Sequence, residues 1–100
     1  MLKIHFTDDF LFDVSEIVVW YENIRFGLSH DFELCLESGI EDIKKFPEAF
    51  QKRHEDVKIR FIDCLSYGIH YVIKNDVIYV IAVFHTSLKP TNWSKRSNKF

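Results

Sequence analysis

The chain has only three glycines and two prolines among its 100 residues, which leaves little room for long loops. It has two cysteines, Cys35 and Cys64, and neither belongs to a CxxC pair or a zinc-type set. Both lie beside leucine, so the sequence predicts reduced, packed thiols in a cytosolic protein. No apolar run approaches the roughly 20 residues of a membrane-spanning helix. The first residues also lack the basic patch and apolar stretch of a secretion signal. The expectation is a soluble cytoplasmic protein without a membrane partner. There is no glycine-rich phosphate loop, nucleophile elbow or paired-carboxylate motif. His5, His30, His54 and His70 share no metal-ligand spacing, so neither a cofactor nor a metal is expected.

What is present argues for a folded chain. The apolar fraction is 47% and aromatics make up 16%, ten of them phenylalanine. Disorder requires low hydrophobicity, so residues 1–100 are expected to form a single domain. The net charge of −2 conceals an asymmetry. Residues 1–48 carry eleven acids and four bases, whereas residues 49–100 carry nine bases and four acids. From His85 to Phe100 there are four bases and no acid. A chain so near neutrality has no strong long-range pull on nucleic acid, although its second half can form a local basic patch.

Residues 2–6, LKIHF, alternate apolar and polar as a half-buried strand does. Thr7 offers a helix-capping hydroxyl, and Asp8 and Asp9 place negative charge in a first turn. Phe10, Val14, Ile17, Val18 and Tyr21 follow at helical spacing, predicting a helix over 8–24. Gly27 suits its end, and Ser29 suits the cap of a second helix carrying Phe32, Cys35, Leu36, Ile40 and Ile43 inward. Gly39 on that apolar side is expected to let the first helix approach closely. Pro47 ends the second helix.

The period then changes. VKIRFIDCL (57–65) and YGIHYVI (67–73) alternate, Asn75-Asp76 is turn chemistry, and VIYVIAVF (77–84) is apolar at every position. The last strand is therefore central and covered on both faces. The expected fold is α+β: an N-terminal strand, an antiparallel helix hairpin, then a three-stranded antiparallel sheet, in the order β-α-α-β-β-β. One hairpin covers one face of such a sheet. The other must be covered by the C-terminal segment with Trp93 and Phe100, or by a partner.

Three stretches in this order resemble the RelE/ParE superfamily of type II toxin–antitoxin and plasmid stabilisation proteins. They are KKFPEAF (44–50), LSYGIHYVI (65–73) and AVFHTSLKPTNW (82–93). The last is similar to the family's strand end, histidine and tryptophan-bearing tail, with Lys89 where asparagine is usual. The resemblance is closer to ParE-like members. It implies a toxin that inhibits DNA gyrase and is neutralised by a cognate antitoxin protein. The alternative it implies is a RelE-like, metal-independent endoribonuclease that cuts messenger RNA on the ribosome. A further alternative is an inactive antitoxin-binding member.

Metal-free RNA cleavage needs an acid, a base and cations near the developing phosphorane. His85, Lys58, Arg60 and Arg96 are the candidates if the chain is a ribonuclease. Against that stand Gly68, where nuclease members carry arginine, and Cys64, where a basic residue is common. Leu65 and Ser66 replace the usual Phe-Pro. An isoelectric point near 6.2 also suits a ribosome binder poorly. His85 has a second reading, as an anchor for a turn through Thr86 and Ser87. Tyr71, Lys89, Trp93, Lys95 and Arg96 are the candidate contacts to a target or partner, and Trp93 is equally readable as a lid on the sheet.

Overall fold

The computed structural model describes residues 2–50, 52–54, 56–62 and 66–85. Within them β1 spans Lys3–Phe6, α1 Asp8–Ile24 and α2 Ser29–Lys45. Four strands follow: β2 (Lys52–His54), β3 (Val57–Phe61), β4 (Tyr67–Lys74) and β5 (Val77–His85). The expected α+β class and element order hold, with two refinements. The sheet has five strands in the order β1-β5-β4-β3-β2 because a three-residue strand adds to one edge. It is also mixed, since β1 pairs parallel with Val77–Val80 of β5 while the other neighbours are antiparallel.

Thr7 joins β1 to α1. Its Oγ1 accepts from the Phe10 amide at 3.2 Å and donates to the Val80 carbonyl at 3.1 Å. One hydroxyl thereby caps the helix and fixes it to the central strand. The start of α2 differs from expectation. Ser29 is its first helical residue, and the preceding Leu28 makes no side-chain cap. The capping work falls to Glu22 on α1, whose carboxylate accepts from the amides of Gly27 at 3.1 Å and Ser29 at 3.0 Å. Gly27 at φ 85° makes the turn between the helices. Asn75 and Asp76, at φ 52° and 65°, make the β4–β5 hairpin turn that their residue types predict.

Both helices pack on one face of the sheet. Their core joins Phe10, Phe32, Leu36 and Ile43 to Ile69, Tyr71, Ile78, Val80 and Val83. Gly39 admits the sheet rather than α1, because a Cβ there would stand 2.7 Å from Ile69 Cδ1. A bulge between His70 and Tyr71 sets Tyr71 opposite Val80 and His70 opposite Ala82, leaving Ile81 as the extra residue. Ile81 and Ala82 consequently both join the second face, with Val57 and Val72. Those four residues are essentially fully buried, whereas Phe61, on the same face at the end of β3, is 39% exposed.

Cys35, half-buried on α2, is disulfide-bonded, which corrects the expectation of a reduced thiol there. Local spacing carries no information about which cysteines a fold brings within bonding reach. Cys64 and Leu65, like residues 86–100, lie outside the described residues.

Candidate functional site

The end of β5 is built by a mismatch of strand lengths. β1 pairs only as far as Val80, so the β5 amides beyond it have no β1 partner. The Val83 amide donates to Asp13 Oδ2 at 3.2 Å, which explains an almost fully buried carboxylate on α1. Two residues on, exposed His85 pairs across the ladder with Tyr67, their rings edge to face at 5.6 Å. Tyr67 also stands edge-on to Phe32 at 5.5 Å. Burial, then Tyr21 beside it, pushes its hydroxyl up to about 12. Asp13, Glu16, Ile17, Tyr67, Val83 and His85 line a shallow depression here. Two carboxylates therefore share the surroundings of His85.

The other candidates lie elsewhere. Lys58 and Arg60 do share one side of β3, as the alternation predicts, but that side is the helix face. Arg60 Nη2 meets Asp42 Oδ2 at 2.8 Å, its guanidinium lies 5.4 Å from the Phe50 ring centre, and Nη1 donates to the Phe61 carbonyl. Lys58 Nζ donates to the Phe50 carbonyl at 3.3 Å and stands 3.8 Å from Glu48 Oε2. Tyr71 is fully buried and donates to the Pro47 carbonyl at 2.6 Å. Burial, then Glu48, raises its pKa far above the tyrosine norm. Tyr71 thus occupies the core rather than a contact surface. The KKFPEAF stretch emerges as an anchor: residues 47–50 bind Tyr71, Lys58 and Arg60 to the end of α2.

His85 is two strands away from β3, or about 10 Å at ordinary strand spacing. The described members of the nuclease set are thus not brought together. Lys89, Trp93, Lys95 and Arg96 lie outside the described residues, as do Thr86 and Ser87. Gly68 is buried on the second face, where a Cβ would stand 2.5 Å from Ile59 Cδ1, so no arginine fits there as the chain is packed. Among the described residues no cluster of histidine, cysteine and carboxylates could hold a metal. No described helix is long and apolar enough to cross a membrane.

Sequence reasoning missed Asp13, Asp42 and Glu22. Asp13 left a signal, since it falls three residues after Phe10 within the inward-facing period of α1. The engagement of Asp42 and Glu22 is tertiary and leaves none.

Three comparisons bear on this architecture. Among curated proteins, no sequence matches. A solved structure, the chromosomal ParDE toxin–antitoxin system from P. aeruginosa, superposes with a TM-score of 0.64. The match covers 85% of this chain and 96% of that one at 13% identity, which establishes a shared fold. The family model described as the ParE toxin of the type II toxin–antitoxin system, parDE, matches residues 4–90. Since that span takes in both helices, four strands and all but the first residue of β1, the chain belongs to the ParE toxin family.

Proposed function

We propose that this chain is a toxin that acts by binding DNA gyrase and is held inactive by a cognate antitoxin. The observation that favours binding over RNA cleavage is the placement of the cations. Arg60 and Lys58 are engaged by Asp42, Glu48 and the 46–50 segment, while His85 shares its depression with Asp13 and Glu16. A phosphodiester at His85 would meet carboxylates where a nuclease needs positive charge. Family membership supports gyrase as the target and an antitoxin as the partner. The basic segment with Lys89, Lys95 and Arg96, together with Trp93, is the proposed contact to the target.

Induced expression without antitoxin tests this reading. Trapped gyrase–DNA complexes and a DNA-damage response should accumulate while messenger RNA stays intact. Cleavage of codons in the ribosomal A site, with gyrase unaffected, would return the nuclease alternative. Harmless expression in a sensitive host would point to an inactive antitoxin-binding member.

A further inference from the structure

Cys35 lies on α2 between Phe32 and Leu36, which enter the core. It is half-buried against that core and disulfide-bonded. The sequence contains one other cysteine, Cys64, so within a single chain the bond has one possible partner. The described residues on either side of Cys64 point to the same partner. Phe61 and Gly68 form the last pair of the β3–β4 ladder, and the Ile62 amide donates to the Tyr67 carbonyl at 2.9 Å. Residues 63–66 therefore form a short loop closed at its base. Ile62 is buried in the helix-side core, and Tyr67 stands edge-on to Phe32 at 5.5 Å. Phe32 is one helical turn before Cys35 on the same flank of α2. Three residues of chain extend at most about 11 Å, which tethers Cys64 close to that turn.

Two features make such a bond exchangeable and consequential. Cys35 is not fully buried, so a small thiolate has a path to its sulfur. The bond also closes a ring of about 30 residues, a size at which a cross-link removes much of the freedom of the unfolded chain. Arg60 and Asp42 already tie the C-terminal end of α2 to β3. A bond from Cys35 to Cys64 ties the other half of the helix to the β3–β4 loop.

We propose that Cys35 and Cys64 form a reversible redox clasp that fastens the β3–β4 loop to α2. On closing, the two thiols give up two protons and two electrons to a small-molecule disulfide such as oxidised glutathione. That disulfide leaves as two thiols, and the S–S bond of the clasp forms. A reducing thiol pair reverses the exchange and frees the loop. Tyr67 opens β4 and pairs with His85, so the clasp sets how firmly the His85 end of the sheet is held. The stability of the fold thereby follows the thiol–disulfide balance around it.

The test uses the full chain equilibrated with mixtures of oxidised and reduced glutathione. After free thiols are blocked, trypsin digestion without reductant should release peptides 26–44 and 61–74 joined in one species from monomeric protein. Dithiothreitol should lower the Tm by about 10 °C or more, and oxidised glutathione should restore it. Exchange of the Ile62 amide should quicken at least about tenfold on reduction. Cys35→Ala and Cys64→Ala should each resemble the reduced chain and lose the response to dithiothreitol. The double variant should lose much less than the sum of the two, because either substitution alone removes the bond. Reduction of the unaltered chain opens the clasp without any substitution, so a variant that fails to fold does not decide the outcome. Free thiols at every glutathione ratio, a bond joining Cys35 of two copies, an unchanged Tm on reduction, or a bond that cannot be remade overturns the proposal. None of these readouts depends on toxicity, so the clasp and the proposed function fail independently.

Discussion

Arg60 Nη2 and Asp42 Oδ2 meet at 2.8 Å, joining the sheet to the last turns of α2 on the helix face. The guanidinium also lies over the Phe50 ring, so the contact is both ionic and packed. A residue type that suggests a phosphate ligand is here a strut between two layers.

That role is measurable. Arg60→Ala should lower stability by about 1–2 kcal/mol, with the coupling to Asp42 in a double-mutant cycle near 1 kcal/mol because the carboxylate is partly exposed. Denaturant unfolding of the two single variants and the double variant reads both quantities. Folded Arg60→Ala should still trap gyrase. If it is folded yet inert, while cutting of ribosome-bound messenger RNA is found in the unaltered chain, the residue belongs to a nuclease site.

Tyr71 makes an alkaline prediction. Its hydroxyl is buried and bound to the Pro47 carbonyl, and the Tyr67 hydroxyl is also held neutral by burial. The folded-state pKa of each is raised above the ordinary value of 10. Their stabilisation is therefore complete below about pH 10, and it is lost as the pH climbs through the raised values. Chemical denaturation across that range should show stability falling from about pH 10 upward, and tyrosinate absorbance should lag behind that of the unfolded chain. Tyr71→Phe should cost about 1–2 kcal/mol at neutral pH, through the unpaired Pro47 carbonyl, and make the alkaline loss shallower. An unchanged alkaline slope in that variant would contradict the assignment.

Glu22 makes the acid counterpart. The backbone amide of Ser29, then that of Gly27, holds its carboxyl below the ordinary value of 4.5. Its contribution is present above that ordinary value and disappears as the pH falls through the lowered one. Glu22→Ala should loosen the helix-hairpin turn, seen as faster amide exchange at Gly27 and Ser29 at neutral pH. In the unaltered chain, acidification below about pH 4.5 should bring on the same loosening. Equal exchange in variant and parent at pH 7 would mean that the carboxylate does not hold the turn.

The helices were legible because local signals agree. Thr7 and the two aspartates after it mark the start of α1, the apolar period carries it, and Gly27 marks the turn beyond its end. The Asn75-Asp76 turn was legible for the same reason, since its positive φ values need such residues. β2 was not legible, because three residues make no period. The parallel pairing of β1 with β5 joins positions more than 70 residues apart and has no local trace. The site suffered from a subtler loss. Alternation places Lys58 and Arg60 together on one side of β3, but a period of two cannot say which side faces α2. Only the positions of Asp42 and Phe50 decide that the cations turn inward to the helices while Val57 and Ile59 take the other face.

Gly68 gives the sharpest test of why the nuclease arginine cannot be accommodated. It is buried in β4 between Phe61 and Phe84 in the ladder, and its missing side chain is replaced by Ile59. An added Cβ would lie 2.5 Å from Ile59 Cδ1 and 2.9 Å from Cγ1. Ile59 is itself almost fully buried, so it has little room to withdraw. Gly68→Ala should therefore destabilise by about 1–3 kcal/mol through overpacking. Ile59→Val, which removes the Cδ1 methyl, costs about 1 kcal/mol on its own. Combined with Gly68→Ala it should relieve much of the clash, so the double variant should lie at least about 1 kcal/mol above the sum of the two losses. Gly39→Ala is the control: its Cβ would also meet an isoleucine end, Ile69 Cδ1 at 2.7 Å, but in a helix, where alanine recovers about 1 kcal/mol of propensity. Its net effect should accordingly be the smaller of the two. Additive losses at Gly68 and Ile59 would show that the side chains do not contest the same space, and the steric case against an arginine at this position would fall with that result.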